Sequence, residues 1–364
     1  MEIEKIREKI AEIEKEISSL PYHKGTEHHI GKLKAKLAKL RLQILEKKTK
    51  KGGTGFAIKK EGDGTVVLVG LPSVGKSTLL NKLTGAKSKV APYPFTTLKV
   101  IPGILNYEGA KIQILDVPGL IQGAAMGKGR GKEVLSVVRV ADLLVLMAPA
   151  KNPESFKIIE KELYLAGVRI DEKKPEITIE KKMKGGLEIS GQTKSISKET
   201  IKALAREFGI FNAKISLKGE ISQDQLIDAF LGNRVYVPSI KVLSKIDLLS
   251  KESLKKLSKN FGKEYFFISA KENIGLEKLK KGIFEKLNLI RIYLRKSPKA
   301  KPEKEPLICK KGVTVLQAAK KISEDFAKEI KGAKIKGPSV NYDNQLVGLN
   351  HRLFDKDEVF FVKK

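Results

Sequence analysis

Eight consecutive residues, Gly70-Leu71-Pro72-Ser73-Val74-Gly75-Lys76-Ser77, fit the spacing G-x-x-x-x-G-K-[ST] and follow an apolar, β-branched run at 65–69. A strand that delivers the chain to a glycine-rich turn lets successive backbone N–H groups converge on an anion. The helix expected to start near Lys76 adds its positive dipole end. In that setting Lys76 reaches the β- and γ-phosphates of a nucleotide, the Ser77 hydroxyl holds Mg²⁺, and Thr78 borders the same site. A plain glycine-rich strand–helix turn is the alternative for these residues taken alone.

Four further clusters follow in the order such chemistry requires. Asp116-Val117-Pro118-Gly119 closes an apolar run and reads D-x-x-G. An Asp at a strand end there reaches Mg²⁺ through water, and the Gly119 amide contacts a γ-phosphate. Between the two motifs, Pro94-Phe95-Thr96-Thr97 supplies a threonine that could complete the metal shell once a γ-phosphate is present. Asp-x-Pro-Gly is also an ordinary turn, so order and strand-end placement carry the reading. Farther on, Ser244-Lys245-Ile246-Asp247 leaves a buried run with its charges at the exit. The Asp247 carboxylate can accept from both N1–H and the 2-amino group of guanine while the Lys245 stem covers the ring. Adenine offers no such donor pair and would leave the carboxylate unpaired, a difference of a few kcal/mol. At Ser269-Ala270-Lys271 a backbone amide can meet the guanine O6. A polar strand exit is the bland reading of both stretches.

These residues need strands that end together. Short apolar candidates at 66–69, 111–115, 143–147, 241–244 and 265–269 alternate with helical patterns, as in βαβ units of a mostly parallel sheet. Between 155 and 236 the pattern changes to shorter alternating strands (176–180, 187–190, 213–217) and two helices (198–208, 223–231), an inserted small α+β domain. At the N-terminus Ile3, Ile6, Ile10, Ile13, Ile17 and Leu20, then Ile30, Leu33, Leu37, Leu40 and Ile44, recur at three- and four-residue steps. That spacing predicts two helices packed along a narrow seam, joined at Pro21–Gly25. His23, His28 and His29 cluster at the turn without carboxylates or thiolates at ligand spacing, so they read as exposed rather than metal-binding. A Lys/Pro-rich stretch near 297–305 reads as a linker to a separate C-terminal unit. The expected layout is a hairpin and basic connector at 1–60, a first nucleotide-binding part at 61–154, the insert at 155–236, a second part at 237–296, and linker plus C-terminal module at 297–364.

The chain of 364 residues carries a formal net charge of +30, which means a salt-sensitive attraction to polyanions. Residues 1–60 alone hold sixteen Lys and Arg against eight Asp and Glu, so the hairpin could lie along RNA or be a solvated hairpin that only packs on its neighbour. An anionic membrane is a poorer fit, because no basic amphipathic helix carries aromatic anchors. No apolar run approaches ~20 residues, and the first residues, acidic and basic by turns, do not form a secretory signal. One cysteine, Cys309, excludes an internal disulfide and a cysteine-rich metal site. A reducing cytoplasm is the expected setting.

The stretches 70–80, 93–98 and 116–125, together with Gly127-Lys128-Gly129-Arg130-Gly131 and Gly232-Asn233-Arg234-Val235-Tyr236-Val237-Pro238, resemble the Obg-related GTPases. The likeness is greatest to their developmentally regulated GTP-binding (DRG) branch and covers nearly the whole chain. The insert, with Lys184-Gly185-Gly186, is similar to a domain like the second domain of ribosomal protein S5. His351-Arg352-Leu353-Phe354-Asp355-Lys356-Asp357-Glu358-Val359 resembles the closing motif of a TGS domain, a β-grasp module associated with RNA and ribosomes. The resemblance implies an α/β fold: a P-loop NTPase sheet with N-terminal helical hairpin, inserted domain and C-terminal β-grasp domain. It implies a translation-associated GTPase, with Thr97 as the switch threonine on Mg²⁺ beside Ser77 and Asp116, and Lys76, Thr97 and Gly119 as the catalytic groups. GTP and GDP, a ribosome or RNA, and a regulatory protein are the implied partners. Two departures carry expectations. Ser244 stands where relatives carry Asn, which predicts a lost tie between base loop and phosphate loop and weaker nucleotide binding. Leu120 stands where Ras-like enzymes place a water-orienting Gln. That predicts slow intrinsic hydrolysis unless a monovalent cation such as K⁺, or a partner, orders the water. An ATP-preferring relative, or an RNA-binding factor that nucleotide merely stabilises, are the alternatives.

Overall fold

A computed structural model describes residues 2–21, 23, 25–47, 62–85, 91–92, 99–117, 131–191 and 196–364. The chain divides into two compact units. One holds the described residues of 1–56, 131–139 and 157–237; the other holds those of 62–117, 140–156 and 238–364.

The second unit is built on a seven-stranded sheet in the order Tyr265–Phe267, Ser239–Ser244, Leu143–Pro149, Gly64–Gly70, Ala110–Asp116, Lys99–Tyr107, Ala91–Pro92. The first five run parallel, as the alternating pattern predicts. Every residue of Gly64–Gly70 is buried, which explains its continuous apolar composition. Val66, Leu68, Ile112, Ile114 and Val145 pack with Leu79 and Leu80 of the helix Lys76–Thr84 and with Leu279 and Ile283 of the helix Leu276–Lys286. The sequence pattern does not reveal the antiparallel hairpin of Lys99–Tyr107 on Ala110–Asp116. Pro102 and Gly103 disguise its first strand.

The C-terminal module has a five-stranded sheet ordered Leu307–Lys310, Leu289–Leu294, Asp357–Lys363, Ile330–Lys336, Gln345–Val347. It packs on the helix Val315–Ile322, whose N-terminus is closed by a reciprocal Thr314–Gln317 capping box. The sheet takes in Leu289–Leu294, which pairs in parallel with Asp357–Lys363. The boundary expected at 297 therefore falls inside the module. Its Lys/Pro-rich stretch connects two strands of one sheet rather than two domains.

In the first unit the helices Glu2–Ser19 and Glu27–Lys47 meet along the expected seam through Ile13, Leu33 and Leu37. The insert forms a three-stranded sheet in the order Glu176–Lys181, Ala213–Lys218, Leu187–Ser190, covered by the helices Lys198–Glu207 and Gln223–Leu231. The hairpin packs on a neighbour, the insert. Ala35 is buried in the insert's core, Lys34 pairs with Asp224 at 3.0 Å, and Gln223 Nε2 donates to the Glu27 carbonyl at 3.0 Å. His29 pairs with Glu16 at 3.0 Å, and no group of three metal-ligating side chains occurs among the described residues.

Candidate nucleotide site

The strand Gly64–Gly70 ends where a Cβ on residue 70 would lie 2.6 Å from the Met147 carbonyl, so only glycine lets the loop leave there. The chain then turns through Ser73 (φ 61°) and Gly75 (φ 97°) into the helix Lys76–Thr84. Both values lie in the left-handed region, which Gly75 adopts without a Cβ penalty. Gly75 caps the helix with no side-chain hydrogen bond, so its first-turn N–H groups have no capping side chain to serve them. Lys76 is folded back over the loop, its Nζ donating to the carbonyls of Gly70 (2.9 Å) and Leu71 (3.1 Å). Burial pushes the Lys76 ammonium below its usual pKa, while the Asp116 charge pulls it up. Pro72 and Ser73 form the exposed crest of the loop, while Leu71 is half-buried against the core.

Asp116 arrives from the neighbouring parallel strand and is wholly buried. Ser77 Oγ donates to its Oδ2 at 2.5 Å, and its Oδ1 has no partner among the described residues. Burial raises this carboxyl above the usual carboxylate range; the Ser77 hydrogen bond and the Lys76 charge pull it back only in part. A buried carboxylate with one oxygen unsatisfied, beside a hydroxyl at a helix start, is a donor set suited to a hard divalent cation. Mg²⁺ takes one or two protein oxygens and completes its shell with water and phosphate, so Ser77 and Asp116 fit it. Val117 is buried directly behind Asp116. Phe95, Thr96, Thr97, Pro118, Gly119 and Leu120 lie outside the described residues.

Beside the loop is a cavity of about 250 Å³. Val74, Gly75 and Thr78 line one wall; Ser244, Lys245, Asp247, Ala270 and Lys271, all read from the sequence, line the rest. Lys245 sits at φ 59° and turns the chain out of the strand Ser239–Ser244 into the short 3₁₀ turn Ile246–Leu248. That turn leaves Asp247 exposed at the rim. A hydrogen bond from the buried Ser269 side chain, ahead of the nearby lysine charges, holds the Asp247 carboxyl below its usual range and ionised. Ser269 Oγ also accepts from the Glu272 N–H at 3.2 Å, which fixes the hydroxyl. Sequence reasoning gave this segment only a backbone role. Met147, Leu248 and Ile268 complete the lining; they were missed because apolar walls carry no motif.

The expectation at Ser244 is corrected. Its Oγ donates to the Val74 carbonyl at 2.7 Å and lies 3.2 Å from the Ala148 carbonyl. A serine hydroxyl has one proton, and the shorter contact takes it. The shorter side chain therefore retains the tie between base loop and phosphate loop.

A parallel sheet whose first strand feeds this loop and helix, with a carboxylate at the next strand's end, defines a P-loop NTPase. Residues 65–182 match the family model described as 50S ribosome-binding GTPase. Residues 184–289 match the model of that domain's C-terminal region, and 290–363 match the TGS domain. A GTP-binding protein of Methanocaldococcus jannaschii is 46% identical over 364 residues, covering 99% of this chain and 93% of that protein. The human developmentally-regulated GTP-binding protein 2 is 40% identical over 364 residues, covering 99% of this chain and all of its own length. Developmentally-regulated G-protein 3 of Arabidopsis thaliana is 43% identical over 367 residues, with 99% of each chain covered. The chain belongs to the developmentally regulated GTP-binding family, and is a GTP-binding GTPase of that type. Among the described residues no helix is long and apolar enough to cross a membrane.

Proposed function

We propose that this chain works as a guanine-nucleotide switch whose GTP- and GDP-bound forms engage a ribosome or its RNA differently, in the cytoplasm and during translation. The observation that carries the nucleotide reading is the pairing of two features: the half-satisfied Asp116–Ser77 cluster under the phosphate loop, and the Asp247-rimmed cavity beside it. Lys76 and the loop N–H groups bind the phosphates. Asp247 selects guanine, oriented by Ser269, with Lys245 over the base and Ala270–Lys271 at its edge. Ser77, Asp116 and Thr97 would hold Mg²⁺, which when bound neutralises charge on the β- and γ-phosphate oxygens. Thr97 and the Gly119 amide would sense the γ-phosphate, so that the segments carrying them order with GTP and release after hydrolysis. With Leu120 in place of a water-orienting side chain, turnover is slow until K⁺ or a partner protein orders the attacking water.

The ribosomal half of the reading rests on the net charge of +30 and on the matched family's description as 50S ribosome-binding. Co-sedimentation with ribosomes under GTP, GDP and a non-hydrolysable analogue tests it, with phosphate release measured in parallel. Association that follows the nucleotide, and turnover that Lys76→Ala abolishes, are the expected results. Equal association in all three states would remove the switch.

A further inference from the structure

The stretch at 232–238, which the nucleotide site does not use, folds beside the insert. Val235–Val237 pairs in parallel with Val168–Ile170, which sets Tyr236 opposite Arg169. Two guanidiniums share one carboxylate there. Asp228, on the helix Gln223–Leu231, accepts from Arg169 Nε and Nη2 at 2.6 and 2.8 Å and from Arg234 Nε at 2.7 Å. The Arg169, Asp228 and Arg234 side chains are only 4%, 5% and 13% exposed. One positive charge is therefore left over where little water reaches, and a buried charge is costly until something pairs with it.

Arg169 does not carry the surplus. Its Nη1 donates to the carbonyls of Tyr164 (3.0 Å) and Val168 (3.2 Å), and its guanidinium lies 3.8 Å over the Tyr164 ring. The surplus falls on Arg234. Its Nη1 donates to Asn233 Oδ1 at 3.2 Å, and its Nη2 has no partner among the described residues. Gly167 (φ 91°) makes room for this guanidinium, since a Cβ there would lie 2.9 Å from Arg234 Nη1.

Arg234 lines a cavity of about 240 Å³ together with Lys174 and Tyr236. Asp228, both of whose oxygens already accept from arginine, is the one carboxylate among the described residues that line it. Burial, ahead of the Asp228 charge, raises the Tyr236 hydroxyl above its usual range, so it stays a donor. Ile177 and Ile179 form an apolar wall. Two cations and a hydroxyl beside a saturated carboxylate call for an anion, and the edge of a guanidinium matches two carboxylate oxygens. An inorganic ion would leave the isoleucines against water, whereas a hydrocarbon tail covers them. The volume falls below the roughly 300–1,000 Å³ of sites for drug-sized molecules, so the ligand is small.

We propose that this cavity binds a small organic carboxylate, its oxygens held by Arg234, Lys174 and Tyr236 and its hydrocarbon laid on Ile177 and Ile179. The site is separate from the phosphate loop and from the cavity rimmed by Asp247.

The test is ligand-observed saturation-transfer NMR on the full chain, kept loaded with Mg²⁺ and GDP so that the phosphate loop is filled. Butanoate, 3-methylbutanoate and hexanoate are the probes, 3-methylbutan-1-ol is the uncharged isostere, and inorganic phosphate is the competitor. At least one carboxylate is expected to bind saturably, and the alcohol is not. Arg234→Gln should weaken that binding roughly ten- to a hundredfold, Tyr236→Phe roughly two- to tenfold and Lys174→Gln roughly two- to fivefold. Asp228 keeps its Arg169 partner in the first of these, and unchanged melting certifies the fold of all three. No saturable binding, equal binding of the alcohol, or an affinity that all three variants preserve would overturn the site. Phosphate that binds more tightly than every carboxylate would make it an inorganic-anion site and overturn the proposal as well.

Discussion

Ser244 shows how one hydroxyl can join two loops that share a ligand. Its bond to the Val74 carbonyl couples the turn carrying Asp247 to the loop carrying Lys76. Ser244→Ala removes the donor and leaves a buried carbonyl unpaired, at a cost of about 1–3 kcal/mol. Stopped-flow release of a fluorescent GDP should accelerate roughly five- to a hundredfold, and an unchanged rate would deny the coupling. Asp116 makes a prediction about pH. Its carboxyl is raised above the ordinary 3.8 by burial, so between 3.8 and the raised value the folded state holds a proton that the unfolded state has lost. Stability of the nucleotide-free protein then falls as pH rises through that window. Asp116→Asn should flatten this slope in melts across the acid range and remove the Mg²⁺ dependence of GTP binding. A slope the variant preserves would assign it to other groups.

Among elements, the hairpin of Lys99–Tyr107 and Ala110–Asp116 links the two halves of the second unit. One end of Ala110–Asp116 carries Asp116, the carboxylate proposed to hold Mg²⁺. The other is a two-residue turn at Glu108 (φ 52°) and Gly109 (φ 83°), held by the C-terminal module. Arg291 donates to Glu108 at 2.6 Å and, through Nη2 and Nε, to Asp355 at 2.6 and 3.1 Å. Lys321 reaches Asp63 at 3.0 Å, and a Cβ on residue 109 would strike Pro306 at 2.7 Å. The Arg291 side chain is only 16% exposed, but Glu108 and Asp355 are 47% and 36% exposed, so water takes up part of what its removal leaves and the cost is about 1–2 kcal/mol. Arg291→Ala should lower the melting temperature by several degrees, and Arg291→Lys should recover little, because an ammonium cannot span both carboxylates. A melting temperature matching wild type in Arg291→Ala would mean the module is held by its apolar contacts alone. None of this clamp is written locally. Pro102 and Gly103 mask one strand, and Leu289–Leu294 pairs both with Leu307–Lys310 across the Lys/Pro-rich stretch and with Asp357–Lys363 more than sixty residues later, so composition alone makes that stretch pass for a linker.

At the scale of the whole chain, legibility follows the range of the interactions. The phosphate loop, Asp116 and the Ser244–Asp247 turn are local devices at strand ends, and their residue types alone imply an anion, a cation and a purine. The hairpin seam is periodic and equally legible. Its burial on the insert, through Ala35 and the Lys34–Asp224 pair, joins residues 190 apart and leaves no pattern in either segment. The same holds for the cavity walls at Met147 and Ile268. Every layer nevertheless depends on a guanine nucleotide binding beside the first parallel strand. Calorimetric titration with Mg²⁺ present tests that most directly, using the wild type against GTP and ATP and Asp247→Asn against GTP and XTP. The account predicts uptake of GTP but not ATP by the wild type, and a preference turned towards XTP in the variant, whose amide donates to the xanthine C2 carbonyl. Equal uptake of ATP and GTP by the wild type, or an unaltered GTP preference in Asp247→Asn, would contradict it.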